Sequence, residues 1–371
     1  MKNALLAIAM CLFLSIALLA QKHTVIALGH NDFSVNEIDT TTGKTLQVFN
    51  AVNQPHEAQV SADGKTIYAS VPQAGHVVIL SAVTFEEKGR IQSPLLLGRT
   101  PPPPRGGAAA PVEGQRGGGA RGGEAPARQG VAVAESGSPH GMGLNTDGSK
   151  LYIGVENADV PGVVVYDTKA NKVLKKIDLL LRGGHYLQVQ PGTDKVYYPH
   201  RNDNRVVVID GKTDTVKKII DVQGGPVGVD FGMNNEVWIH GDGANGIEGT
   251  VTVIDGKTDT VIKTIQTPGK GAGRMAVSRD GKWAASTHGT TQDVAIIDAV
   301  KKEVAATVVV GGGPGFPLFS PDGTKLYVMV SSTSDVAVID LATMKVVDRW
   351  KAGQSTFGGG LRYPNGRPTG K

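Results

Sequence analysis

The chain has 371 residues, a formal net charge of +4 and a single cysteine, Cys11. Because Cys11 lies in the apolar leader described below, the rest of the chain has no thiol for a disulfide, a c-type haem attachment, an iron–sulfur cluster, a blue-copper centre or a cysteine nucleophile. The basic residues do not form a stripe interleaved with aromatic residues, so we expect no nucleic-acid binding.

The first twenty residues have the pattern of a secretory signal peptide. Lys2 gives a positive start, residues 4–20 form an apolar run, and Ala20 is a small residue at a suitable cleavage point. The run is short and no stop-transfer pattern follows, so we expect no membrane span in the mature protein. Met10 before Cys11 is the wrong residue for bacterial lipid attachment. The expected location is therefore the periplasm or the exterior of a bacterium.

One motif recurs along most of the remaining chain. It reads Val-x-Val-Ile-Asp with a further Val about six residues later, and its exact and looser copies lie at residues 35–45, 77–87, 163–173, 206–216, 251–261, 294–304 and 336–346. A second motif, Ser-x-Asp-Gly-x-x-x-Tyr, stands before it at residues 61–68, with related forms at 145–152 and 320–327. The β-branched runs predict strands, and Asp-Gly between two such runs predicts a tight hairpin turn.

The spacing of the motifs predicts the architecture. The aspartates that end the first motif, with Ser81 in the second copy, are 42 to 45 residues apart, except between Ser81 and Asp167. That longer step holds one further repeat unit and a low-complexity insert. A period near 43 residues with four strands per unit is typical of a β-propeller. We therefore predict an all-β, single-domain propeller over residues 21–371, with seven four-stranded antiparallel blades.

The two ends of the repeat predict how the ring closes. The first copy begins at its second strand, residues 24–29, and lacks the innermost one. Near the C-terminus, residues 358–367 resemble the innermost strand and turn at residues 318–325. We expect the C-terminal strand to complete the first blade, which removes a free sheet edge.

The tandem Val-Ile-Asp and Asp-Gly motifs resemble those of the YVTN family of bacterial β-propeller repeat proteins. The resemblance covers nearly the whole chain outside the leader and the insert. It implies the propeller fold but little about activity, because propellers include binding proteins, lactonases and cofactor-carrying reductases.

The insert, residues 99–130, consists almost entirely of Pro, Gly, Ala, Arg, Gln and Glu. It has too few large apolar residues to form a core, so we expect no regular structure in it. It joins the outermost strand of one blade to the innermost strand of the next. It is either a tolerated loop expansion or a lid or partner-binding arm.

Seven of the nine histidines are predicted to lie on the propeller face that bears this insert. Three stand at the starts of successive innermost strands, and we assign them to ligand binding together with two arginines that suit an anionic ligand: His56, His140, His185, Arg201 and Arg274. Four stand at or near the ends of second strands and form the candidate metal set: His30, His200, His240 and His288. An all-histidine site without thiols suits copper or zinc. His56, His140 and His185 also fit ordinary turn residues of the repeat.

Other chemistry is less well supported by the sequence. No nucleophile elbow, zincin helix, dinucleotide fingerprint or P-loop occurs. Acids on the same face suit calcium binding or a base of a lactonase: Glu57, Glu156, Asp203 and Asp242. The leading hypothesis is a monomeric, exported, non-enzymatic propeller that binds a small molecule or a protein partner on its histidine-lined face. The alternatives are a metal- or haem-binding redox protein and a hydrolase of the lactonase type.

Overall fold

The computed structural model describes residues 23–50, 55–96, 139–156, 160–243, 248–271 and 273–363. Within them, twenty-eight strands form seven separate four-stranded antiparallel sheets. The predicted seven-bladed propeller is confirmed. The predicted leader and the insert at residues 99–130 lie outside the described residues. No helix in the described part of the chain has the length and apolar character needed to cross a membrane.

The strands are numbered in chain order, and blade 1 takes its innermost strand from the C-terminus. Their bounds are β1 (Thr24–Gly29), β2 (Ser34–Asp39), β3 (Thr45–Asn50), β4 (Ala58–Val60), β5 (Thr66–Val71), β6 (His76–Ser81), β7 (Glu87–Gln92), β8 (Met142–Leu144), β9 (Lys150–Val155), β10 (Gly162–Asp167), β11 (Lys172–Asp178), β12 (Gln188–Val189), β13 (Val196–His200), β14 (Arg205–Asp210), β15 (Thr215–Asp221), β16 (Pro226–Phe231), β17 (Glu236–Gly241), β18 (Thr250–Asp255), β19 (Thr260–Gln266), β20 (Met275–Val277), β21 (Trp283–His288), β22 (Asp293–Asp298), β23 (Glu303–Val309), β24 (Pro314–Phe319), β25 (Lys325–Val330), β26 (Asp335–Asp340), β27 (Lys345–Lys351) and β28 (Thr356–Arg362). Short 3-10 helices lie at Pro72–Ala74, Pro94–Leu96, Arg201–Asp203 and Met233–Asn235.

Burial explains why the third strands of most blades are rich in β-branched residues. In β14, Val206 to Ile209 are all fully buried, because both faces of the sheet pack against neighbouring blades. The outermost strand β15 is exposed except at Ile220. Each fully buried Val or Ile contributes about 1.5–3 kcal/mol relative to an exposed position. The inner three strands of each blade therefore supply most of the core.

A repeated contact joins neighbouring blades at the turns after the third strands. Asp259, in the turn of blade 5, accepts hydrogen bonds from Lys195 Nζ (2.8 Å) and Tyr197 Oη (2.7 Å) of blade 4. Burial raises the pKa of Asp259, but the hydrogen bonds from Lys195 and Tyr197 outweigh it and lower that pKa overall. Blades 3 and 4 make the same contact through Lys150, Tyr152 and Asp214.

Blades 5 and 6 make this contact with the charges exchanged. Lys302 occupies the turn position, with a positive φ of 58° like that of Asp259. Its Nζ lies 2.8 Å from Glu236 of blade 5 and 5.9 Å from the centre of the Trp238 ring. These three interfaces therefore share complementary charges and not a particular residue.

The C-terminal strand closes the ring as predicted. Strand β28 pairs antiparallel with β1, with Val25 opposite Leu361 and Ala27 opposite Gly359. A Cβ at Gly358 would collide with the carbonyl oxygen of His56, and one at Gly359 would collide with Met329. The glycine run is therefore required where β28 presses against the neighbouring blades.

Removal of β28 should strongly destabilise the protein. Truncation after Lys351 unpairs β1 and exposes its edge, so we expect the free energy of unfolding to fall by about 4 kcal/mol or more in urea titrations. Truncation after Tyr363 leaves β28 in place and is the matched control. An equal stability of the two truncated proteins would contradict the closure.

The reversed charges between blades 5 and 6 predict what happens when the charges between blades 4 and 5 are reversed. Asp259→Lys should destabilise the protein by about 3 kcal/mol, because it places like charges beside Lys195 in a mostly buried contact. Adding Lys195→Glu should restore part of that loss, since blades 5 and 6 use the same arrangement. Thermal unfolding of both variants measures this. If the double variant is less stable than the single one, the charges are not what holds these blades together.

Candidate metal centre

Three histidines occupy equivalent positions where innermost strands begin. His56, His140 and His185 precede β4, β8 and β12 of blades 2, 3 and 4. Their backbone N–H groups donate to the second strand of the same blade, to carbonyl oxygens at distances of 2.9, 3.1 and 2.9 Å. The innermost strands of all blades surround the central channel of the propeller. Because these three strands begin at the same end of that channel, called here its mouth, the three imidazoles meet at the mouth.

The rings form a continuous row at this mouth. The ring centres of His56 and His140 are 4.3 Å apart, and those of His140 and His185 are 4.5 Å apart. His30, at the turn after β1, extends the row, with its ring centre 4.8 Å from that of His56. The row therefore crosses four successive blades.

Two glutamates complete the cluster around His140. Its Nδ1 lies 2.6 Å from Glu156 Oε1, and its Nε2 lies 3.0 Å from His56 Nδ1 and 3.7 Å from Glu57 Oε1. Glu156 follows β9, and Glu57 directly follows His56. All of these side chains are buried, with residue exposures of 0 to 7 %.

The cluster contains two sets of potential metal ligands. One is His56, Glu57 and His140, and the other is His140, Glu156 and His185. Within each set the ligand atoms lie within 4.8 Å of one another. Among the described residues no other set of three histidines, cysteines or acids meets this criterion.

The carboxylates decide which imidazole carries a charge. Burial lowers the pKa of His140, but the negative charges of Glu156 and Glu57 outweigh it and raise that pKa to about 9. Burial, followed by the charge of His140, lowers the pKa of His56 well below its ordinary value. Burial and then Arg274 do the same to His185. At neutral pH one imidazolium thus donates to Glu156 and to a neutral His56.

Arg274 crosses the channel next to this cluster. It directly precedes β20, the innermost strand of blade 6, and its guanidinium Nη2 lies 3.3 Å from Glu57 Oε1 of blade 2. The rings of Tyr186, Phe316 and Phe357 surround it, with centres 5.6, 5.1 and 5.2 Å from its Cζ. The side chain is 1 % exposed. The aromatic rings and the ion pair therefore fix one guanidinium across the channel.

Arg274 and the three rings around it form a layer across the channel, called here the Arg274 layer. A cavity of about 200 Å³ lies on the side of this layer opposite the histidine cluster. Tyr186 and Phe316 form part of its wall, together with residues of the innermost strands such as Gln59 and Gln188. None of the cluster histidines lines it. Arg274 and its aromatic neighbours thus separate the cluster from the opposite half of the channel.

The four histidines assigned to a metal set do not assemble into one. His30 stacks on His56, whereas the ring of His200 lies 4.6 Å from that of Tyr198. Burial lowers the pKa of His200 to about 4. In the described ranges no three of the four share a ligand set. The physical reason is that a second strand lies about 4.8 Å further from the axis than the innermost strand.

His240 and His288, the other two residues of the predicted metal set, make hydrogen bonds within and between blades 5 and 6. His240 Nδ1 lies 2.7 Å from Ser286 Oγ, and His288 bonds Asp293 through Nδ1 (2.8 Å) and Thr267 through Nε2 (3.0 Å). This places His288 within the sheet contacts of blade 6. Both rings are fully buried.

Of the arginines and acids predicted on this face, some belong to the cluster and some do not. Arg274, Glu57 and Glu156 belong to the cluster, and Arg274 pairs with a carboxylate of the protein. Arg201 pairs with Asp242 outside both ligand sets, and Asp203 accepts a hydrogen bond from the Arg182 backbone at 2.7 Å. The sequence predicts both glutamates on this face but does not connect them with the histidines. The sequence Pro-His-Glu at residues 55–57 was the available signal.

Comparison with known proteins shows the fold. No family model matches the chain, and neither does any curated protein. Among solved structures it is similar to a functionally unknown protein from Desulfotomaculum acetoxidans, with 11% identity, 92% of this chain and 99% of that chain covered and a TM-score of 0.69. It is also similar to Kuenenia stuttgartiensis hydrazine synthase, with 18% identity, 82% and 88% coverage and a TM-score of 0.63.

A third similar structure is apo AztD from Citrobacter koseri, with 15% identity, 92% of this chain and 98% of that chain covered and a TM-score of 0.58. At these identities the similarities show the propeller fold alone. The likeness to the YVTN family stays a resemblance in sequence pattern.

The charge on His140 can be measured directly. We expect its imidazole to stay protonated at pH 7 and to titrate near pH 9 in ¹H–¹⁵N NMR spectra of the metal-free protein. A folded-state pKa above the unfolded value stabilises the fold fully below about pH 6.5, and this contribution is lost as pH rises through 9. Glu156→Gln should shift the titration to lower pH. A neutral His140 at pH 7 in the wild-type protein would show that the two glutamates do not hold a charge on this ring.

Proposed function

We propose that the protein is a metal-binding propeller that holds Zn²⁺ or Cu²⁺ at the channel cluster. The observation that carries the proposal is His140, a buried cation held between Glu156 and Glu57 within the two ligand sets. A site that stabilises one positive charge between two carboxylates is electrostatically suited to a metal ion in the same place. The ion is then the small ligand of the histidine-lined face.

The donor atoms favour these metals. Imidazole nitrogen suits zinc and copper, and carboxylate oxygen is a regular zinc ligand. Ligand atoms of a tetrahedral site at ~2.0–2.1 Å from the metal lie roughly 3.4 Å apart. The corresponding separations around His140 are 2.6, 3.0 and 3.7 Å. Small side-chain rotations therefore suffice to admit an ion.

Burial favours ion binding over turnover of an organic substrate. The five cluster residues are at most 7 % exposed, and the Arg274 layer separates them from the cavity in the other half of the channel. An ion therefore reaches the cluster from the mouth where the innermost strands begin. Together with the expected signal peptide, this supports metal binding in the periplasm or outside the cell.

Metal titration of His140→Ala tests the proposal. Isothermal titration with Zn²⁺ and Cu²⁺ should show binding to the wild-type protein and affinity at least ~100-fold weaker in the variant, because His140 belongs to both ligand sets. His76→Ala is the control, since His76 hydrogen-bonds the nearby Ala74 carbonyl and lies outside both sets. Circular dichroism checks that each variant is folded.

Two results would overturn the proposal. One is the absence of binding to folded wild-type protein. The other is equal affinity of the wild-type protein and the His140→Ala variant.

A further inference from the structure

The two nitrogens of His140 face different ligands. Nε2 faces His56 Nδ1 and Glu57 Oε1, at 3.0 and 3.7 Å. Nδ1 faces Glu156 Oε1, at 2.6 Å, and Glu156 forms the second set with His140 and His185. His140 is also the one residue that the two sets share. This arrangement allows more than one ion around a single ring.

We propose that the cluster is a binuclear centre in which His140 bridges two metal ions as an imidazolate. This inference rests on the proposed metal-binding function and specifies its stoichiometry. Site 1 consists of His56 Nδ1, Glu57 Oε1 and His140 Nε2. Site 2 consists of His140 Nδ1, Glu156 Oε1 and a ring nitrogen of His185.

The geometry of an imidazole ring keeps the two ions apart. Its nitrogens direct their lone pairs away from each other, so two ions at ~2.0 Å from the ring nitrogens lie about 6 Å from one another. Each site has three protein ligands, which leaves room for water as a further ligand. Binding of the second ion releases the remaining ring proton to solvent, because metal ligands must be deprotonated.

Charge distinguishes the two sites. Arg274 Nη2 lies 3.3 Å from Glu57 Oε1, which is the oxygen that site 1 uses. A cation in site 1 must therefore compete with the guanidinium for this oxygen. In site 2, Glu156 Oε1 pairs with His140 Nδ1 at 2.6 Å. A cation in site 2 therefore takes the place of the proton on that nitrogen.

Copper titration of the full-length protein tests the bridge. Metal content after gel filtration should reach two Cu²⁺ per chain. The integrated electron paramagnetic resonance signal should rise with the first equivalent and fall with the second, because an imidazolate couples the two unpaired spins. His76→Ala should behave like the wild-type protein.

Variants of one site at a time provide the matched comparison. His56→Ala should remove site 1 and His185→Ala site 2, so each should bind one copper with an uncoupled signal proportional to metal. Glu57→Gln and Glu156→Gln provide the same comparison if an alanine variant does not fold.

The outcomes separate this inference from the proposed function. One copper per wild-type chain that is lost in His140→Ala would overturn the binuclear centre and leave metal binding intact. Two coppers with uncoupled spins would overturn the bridge. No copper bound to the folded protein would overturn both proposals.

Discussion

Pairing of β28 with β1 is the constraint on which the rest of the structure depends. Without it the seven sheets would form an open arc, and the innermost strands would not converge on one axis. Closure brings the starts of β4, β8 and β12 to the same mouth and fixes the separation of their side chains. The requirement for Gly358 and Gly359 shows how tightly the innermost strands are packed there. A site shared by three blades is precise only because the ring is closed.

Within that ring, electrostatics decides what the channel can hold. Buried carboxylates and imidazoles are costly unless each charge is balanced nearby. Burial raises the pKa of Glu57, and His140 and Arg274 act against that rise. In the metal-free protein the cluster is therefore balanced by a proton on His140 and by the guanidinium. This balance is what allows the metal-free cluster to be buried in a stable fold.

The sequence was sufficient to predict the ring because the signals for it are local. The turn chemistry of Val-Ile-Asp and Asp-Gly and the 42 to 45 residue spacing each depend on a few neighbouring residues. The missing first strand then required the C-terminal copy. The site was predicted only in part. His56, His140 and His185 were correctly expected at one mouth, but the distance between rings depends on blade packing. The Glu57–Arg274 pair joins residues 217 positions apart, and no local pattern encodes it.

The side chains that meet around Arg274 in the channel come from equivalent positions of the repeat. Glu57, Tyr186, Arg274 and Phe316 each stand four residues before the residue that opens the following turn, namely Ser61, Gln190, Ser278 and Ser320. Their side chains therefore reach the axis at one level. There a carboxylate of blade 2 meets a guanidinium of blade 6, and rings of blades 4 and 7 cover the guanidinium.

The turn positions of the blades behave differently from this layer. At the interface of blades 5 and 6 the charges of Glu236 and Lys302 are exchanged, yet complementarity is kept, because the contact serves packing between neighbours. At the axis no two of the four side chains are alike, so the layer is asymmetric although the backbone is a repeat. Identical charged side chains at this level would place like charges together, which burial penalises. The cluster beside Glu57 and Arg274 follows from this departure from the repeat.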